Sequence, residues 1–327
     1  MVAIRFDADI VVGVDGSDES FAALRWALRE AALTGQRVNA VFGWTRSWEL
    51  GAEPDSDEAW ERAREEMSSR LCEWVSEACR GLEFDMDRLT LTSVQASGAA
   101  ALLRLGDDAQ RIVVGRRSLG PVARWFLGST SASLVEASHT PVTVVRVPGG
   151  EEDTVADAIA AALASGSSDG ASDGAGGVAA RATEASEDAR PVVVGVDGSD
   201  TSRRALEFAA RQAWTHRVPL HVLFCWQLRD LGTVPGYENA VAPIEAGQRR
   251  AVEVLERLLA EADVPQDVEV RAHAFHIGAA KGLSEASRHA SHLVVGSRGL
   301  SGLDARLLGS VSKHVVNFAE CTVTVVH

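Results

Sequence analysis

The chain has 327 residues, 46% of them hydrophobic, and a formal net charge of −14, a composition that predicts a soluble globular protein with room for two or three domains. A negative charge of that size argues against a nucleic-acid backbone or an anionic membrane as the main partner, because both require a basic face. There is no apolar run of the roughly eighteen residues that a membrane span needs, and residues 1–7 lack the basic head of a signal peptide, so the cytoplasm is the expected compartment.

Taken in order, residues 10–14 read as a short apolar strand and 18–33 as a helix, with Ser17 as N-cap, Asp18 and Glu19 in the first turn and Gly35 beyond the end. Strand 38–44, helix 56–79, strand 87–94, helix 99–107, strand 111–115, helix 129–138 and strand 142–147 complete a unit. The strand cores are apolar on both faces, the pattern of a parallel sheet covered by helices on either side.

The unit is then repeated. VVGVDGSDES at 11–20 returns as VVGVDGSDTS at 193–202, RIVVG at 111–115 as HLVVG at 292–296, and Gly128-Ser129 as Gly309-Ser310. The spacing stays at 181 or 182 positions throughout, Trp44 and Trp226 included, which means one fold duplicated. The expected domains are 1–147 and 191–327. Between them, 148–190 has no aromatic residue and carries nine acidic side chains against Arg181 and Arg190. So polar and small-residue-rich a segment reads as a linker, with Val155, Ile159 and Leu163 allowing one short helix at 153–164.

Cys72, Cys79, Cys225 and Cys321 are scattered without zinc or disulfide spacing and read as reduced packing thiols. His273 and His276 fall on a strand region and His289 and His292 at a helix end, so neither pair is expected to bind metal.

The chemistry concentrates after the fourth strand of each unit. In the second, Gly296-Ser297-Arg298-Gly299 is followed by nine residues and then Gly309-Ser310 at a helix start. Glycines let the backbone turn and approach an anion, and a helix N-terminus offers unpaired N–H groups and a favourable dipole. A Gly-x-x-Gly taken alone fits an ordinary strand-to-loop turn equally well. The joint pattern Gly-x2-Gly-x9-Gly-[Ser/Thr], with an Asp closing the first strand in VGVDGS, resembles the ATP-binding signature of the universal stress protein family and covers both units.

That resemblance implies two tandem α/β domains, each a Rossmann-like five-stranded parallel sheet of order 3-2-1-4-5 that binds adenine nucleotide. It also implies ATP or ADP as ligand, with or without Mg, and domains paired through the last strands, 142–147 and 323–326, with a further homodimer open. By residue, it assigns Asp197 with Gly198, and Cys225, to the base and ribose, Gly296 to the ribose or first phosphate, Gly299 and Gly309 to the phosphates, Ser310 to a hydroxyl contact and Val311 to the same helix turn. The first-unit counterparts are Asp15, Gly115, Gly128 and Ser129, with Gly43 opposite Cys225. One departure stands out: Ser118 replaces the second loop glycine, so the second unit is expected to be the better site. Arg116, Arg117 and Arg298 stand in the loops within reach of phosphates.

Lysine occurs only as Lys281 and Lys313, and no Gly-x4-Gly-Lys-[Ser/Thr] is present, which excludes a P-loop NTPase. Neither loop carries a nucleophile, base and metal set common to both units, so a regulatory binding role in stress response is favoured over a slow ATPase. A nucleotide-free interaction module is the other alternative. A phospho-receiver lacks its acidic cluster and its lysine.

Overall fold

A computed structural model describes residues 4–45, 56–116, 128–146, 190–228, 231, 235–237, 242–299 and 308–327. Ser118, Arg117 and the helix expected at 153–164 lie outside the described residues.

In the first domain β1 (Ile10–Gly13) leads to α1 (Asp18–Thr34), β2 (Val38–Trp44), α2 (Asp57–Ala78), β3 (Leu89–Gln95), α3 (Gly98–Gly106), β4 (Arg111–Gly115), α4 (Ser129–Ala137) and β5 (Val142–Val145). The second domain repeats the order with β6 (Val192–Gly195), α5 (Asp200–His216), β7 (Leu220–Cys225), α6 (Ile244–Glu261), β8 (Val270–Phe275), α7 (Ala279–Ala286), β9 (His292–Gly296), α8 (Ser310–Phe318) and β10 (Thr322–Val326).

Local chemistry sets the helix ends. The Ser17 hydroxyl accepts the Ser20 N–H at the start of α1, and Gly35, at φ +79°, lets the chain leave the helix while its N–H closes on Ala31 O. Ser199 caps α5 in the same way through the Ser202 N–H, but that helix ends on Arg217 at φ +55°, a left-handed conformation uncommon for a residue with a side chain.

The strands form one ten-stranded sheet of order β3-β2-β1-β4-β5-β10-β9-β6-β7-β8, so each domain carries the order 3-2-1-4-5. Neighbours within a domain are parallel, while β5 and β10 meet antiparallel with Thr143 opposite Thr324. Both of these strands are fully buried. One face of the first domain packs α1 and α2, and the corresponding face of the second packs α5 and α6. On the opposite face a single apolar core runs across the seam, from Leu134, Val135 and Val144 to Val315, Val316 and Val323.

Three expectations need correction. β3 starts two residues late, because Met86–Arg88 forms a 3-10 turn capped by Asp85. As the outer strands, β3 and β8 are half-exposed rather than apolar on both faces. His292 is not at a helix end; it is buried as the first residue of β9. Cys225 and Cys321 are buried free thiols, whereas Cys72 is exposed rather than a core packing thiol.

Candidate phosphate-loop site at the carboxyl edge of the sheet

In doubly wound sheets ligands bind beyond the carboxyl ends of the strands, where the connections diverge to opposite faces. Here both Asp-Gly-Ser turns lie at that edge. Gly198 takes φ +92° and Gly16 φ +84°, conformations that disfavour a side chain. The turn fixes each aspartate: Asp197 Oδ1 accepts the Ser199 N–H at 3.0 Å, and Asp15 Oδ1 accepts the Ser17 N–H at 3.1 Å and its hydroxyl at 2.5 Å.

The loop after β9 is built onto this turn. Thr201 donates its hydroxyl to Arg298 O at 2.7 Å, and Ser297 donates its N–H to Val326 O at 2.6 Å. Gly299 comes so close to Asp197 that a Cβ there would collide with the carboxylate Oδ2. Two motifs about a hundred residues apart in sequence therefore touch. Ser312 donates its hydroxyl to Gly296 O at 2.6 Å and ties the first turn of α8 to the strand end.

The helix cap differs from expectation in one respect. The Gly309 N–H is not unpaired; it donates to Ser297 O at 2.8 Å, closing the loop back on the helix. Among the described residues no side chain caps α8, so the N–H groups from Ser310 and Val311 on are placed to serve an anion. Ser310 is exposed, and Val311 is half-buried against the core.

Cationic groups flank the loop. Burial pulls the Arg204 guanidinium below its ordinary value, and Arg298 and Arg203 add to that against the pull of Asp200 and Glu207. Burial, helped by Arg298, His139 and Arg204, holds the His327 imidazole at about 4. Burial is the larger cause of both shifts, and the cluster of Arg298, Arg204 and Arg203 places positive charge at this edge, which favours a bound anion.

In the first domain, Gly115 and the uncapped α4 behind Gly128 reproduce the frame, with Ser129 exposed and Ser131 donating to Gly115 O at 3.3 Å. Arg116 does not face phosphate. It is buried and crosses the seam to donate to Ala319 O at 3.0 Å and to Asn317 O, beside Arg146, which also reaches Ala319 O. Burial and the neighbouring Arg146 lower Arg116 to about 10.

Several predicted residues also have packing roles. A Cβ on Gly115 would collide with Glu19 O, and one on Gly296 would lie 3.1 Å from the Thr201 carbonyl carbon, so both glycines admit the first turn of a helix against a strand end. Cys225 is buried at the end of β7, its thiol pushed up to about 12 by burial, with Gly282 packed on Sγ. Gly43 faces Gly98 backbone with equally little room, a Cβ there lying 2.8 Å from Gly98 Cα. Thr201, Ser312, Arg204 and His327 were not singled out from sequence. Ser131 and Ser312 recur at the repeat spacing and were readable in principle, whereas Thr201 stands opposite Glu19 and carries no such signal.

Two doubly wound α/β domains joined edge to edge, each with an Asp-Gly-Ser turn and a strand-end glycine at the carboxyl edge of the sheet, define a tandem α/β protein by architecture. The universal stress protein family model matches residues 8–146 and 189–327, and the chain belongs to that family. A universal stress protein of Mycolicibacterium smegmatis is 30% identical over 334 residues, covering 100% of this chain and 99% of its own length. One of Mycobacterium tuberculosis H37Rv is 30% identical over 345 residues, with 99% and 96% coverage. Among solved structures, a universal stress protein from Archaeoglobus fulgidus superposes with a TM-score of 0.58 at 19% identity, covering 99% of this chain and 97% of that one. Among the described residues no helix is long and apolar enough to cross a membrane.

Proposed function

We propose that this chain is a cytoplasmic stress-response regulator that binds ATP or ADP, primarily in the second domain, and responds to it without rapid turnover. The observation that carries the reading is the contact of Gly299 with Asp197 beneath the uncapped N-terminus of α8. It brings a backbone able to approach phosphate, a carboxylate able to accept ribose hydroxyls and a helix dipole to one edge. Arg298 and Arg204 supply the matching charge. Asp197, Gly198 and Cys225 would border the base and ribose, and Gly296, Gly299, Gly309, Ser310 and Val311 the phosphates. The paired domains, joined through β5 and β10, form the working unit.

Mass spectrometry of small molecules released from heat-denatured purified protein, followed by calorimetry with ATP and ADP, tests this. An adenine nucleotide bound with micromolar or tighter affinity supports the reading. No detectable binding of either nucleotide removes it, and ATP turnover well above about one per second, the low end of ordinary enzyme rates, replaces it with an ATPase.

A further inference from the structure

The seam between the domains carries a buried polar cluster at the edge of the sheet opposite the phosphate loops. Glu30 of α1 and Arg111 at the start of β4 form an ion pair with 3.7 Å between Nη1 and Oε2, both side chains almost completely buried. The second domain completes it. Gln212 of α5 donates from Nε2 to Glu30 Oε2 at 2.7 Å and accepts from Arg111 Nη2 at 2.9 Å through Oε1. His216 hydrogen-bonds Glu30 Oε1. The Arg111 guanidinium lies 4.7 Å from the Phe208 ring centre and 5.4 Å from that of Trp26, and Trp26 meets His292 edge-on. At the centre Thr143 and Thr324 hydroxyls are 2.7 Å apart, with His292 Nε2 2.7 Å from Thr324 Oγ1.

By the repeat spacing Glu30 corresponds to Gln212, Arg111 to His292, Trp26 to Phe208, Arg116 to Ser297 and Arg146 to His327. Around an approximate twofold axis the first domain thus places charged groups where the second places neutral or smaller ones. An amide donates to Glu30 and accepts from Arg111 at once without any change of its own protonation. In a pair of two first domains, Glu30 of one copy would stand where Gln212 is, setting two carboxylates at hydrogen-bonding distance in a dry seam, and a second Arg111 would replace His292 beside the first. Such a pair buries four charges where the native seam buries two, and although opposite charges adjoin, the extra desolvation and the facing carboxylates make it the costlier arrangement. At the other edge, Arg116 and Arg146 reach the final carbonyls of α8, a contact that Ser297 cannot return to α4.

We infer that this seam is a pairing code that selects the unlike repeat: the first domain fits the second domain and rejects a second copy of itself. The inference rests on the β5–β10 pairing and is independent of nucleotide binding. Heterotypic charge placement specifies partners in this way by penalising the wrong one.

The test uses the full chain carrying a protease site within 148–190. After cleavage, unfolding in urea and joint refolding, native mass spectrometry should show one-to-one unlike pairs, and pairs of two first domains would overturn the inference. In the uncut chain, Gln212→Glu should lower the thermal midpoint, and Glu30→Gln on that background should restore most of the loss, because Arg111 then keeps one carboxylate and one amide. With the chain cleaved, Gln212→Glu should weaken the pair by at least about tenfold, the scale of a buried like-charge contact. If Gln212→Glu alone does not fold, a folded double variant supports the code. A double variant no better than Gln212→Glu overturns it, as does a Gln212→Glu protein indistinguishable from wild type.

Discussion

Gly299 and Gly309 define the loop site through what they exclude. At 299 a Cβ would collide with Asp197 Oδ2, and at 309 it would lie 3.3 Å from Ser297 O, beside the loop and in front of α8. Gly309→Glu adds bulk and negative charge where phosphates would lie while leaving the strands untouched. Calorimetry should show loss of nucleotide binding in the second domain, with an unchanged circular dichroism spectrum. Wild-type affinity in that variant would dispose of the phosphate assignment. Arg116 belongs to the same scale but acts elsewhere. Because it serves the Asn317 and Ala319 carbonyls across the seam, Arg116→Ala should destabilise the protein by about 1.5–3 kcal/mol, the range for hydrogen bonds to charged groups. Denaturant unfolding measures this, and an unchanged midpoint would mean that Arg146 alone satisfies the helix end.

The helices that meet at the seam make stability depend on pH. Burial works to raise the Glu30 carboxyl, but the His216 hydrogen bond, the Arg111 charge and Gln212 together hold it at about 2. A carboxyl depressed in the folded state contributes stability that is present above its unfolded value and lost as pH falls toward the folded one. His292, held at about 3 by burial and then by Arg111, acts in the same direction. Its unfolded form takes up protons below about pH 6.5 while the folded form does not. The melting temperature should therefore fall from about pH 6.5 downward and fall faster below about 4.5. Glu30→Gln should lower stability at neutral pH and flatten the acidic part of the curve; a curve parallel to wild type would place the acid sensitivity elsewhere. None of this was legible from the sequence. Glu30 sits in the last turns of an amphipathic helix, where a carboxylate ordinarily faces water, whereas here it is buried and meets Gln212 and His216 of the second domain. The strands were legible because parallel strands covered on both faces are continuous apolar runs, as in 111–115 and 292–296. The start of β3 is not legible because the 3-10 turn capped by Asp85 runs directly into the strand with no Gly or Pro between them to mark the boundary. The loop glycines stand out in the sequence by their spacing, and in the structure a Cβ at 296, 299 or 309 would crowd a neighbour. Thr201, which holds the loop through its hydroxyl, lacks a counterpart in the first copy and gave nothing to recognise.

At the scale of the whole molecule, two nearly equivalent frames differ in the residues around their loops. Both domains keep the Asp-Gly-Ser turn, the strand-end glycine and an uncapped helix. The residue after the strand-end glycine then separates them. Arg116 turns away from its own loop and holds the end of α8, whereas Ser297 stays under the second loop, which keeps Arg298 and Arg204 beside it. The first loop also has Ser118 where the second has Gly299. On the proposed reading the glycine at 299 makes the second domain the better site, Ser118 standing at that position in the first. Calorimetry on the intact chain should accordingly give close to one nucleotide per chain. Saturation at about a hundred times the dissociation constant should stabilise the protein by roughly 2.7 kcal/mol, as mass action requires for one site. In the Gly309→Glu chain that stabilisation should vanish, since the remaining domain offers no site of comparable affinity. Two equivalent sites per chain, or a Gly309→Glu chain that still gains the full stabilisation, would show that the divergence of the loops has not divided the work between the domains.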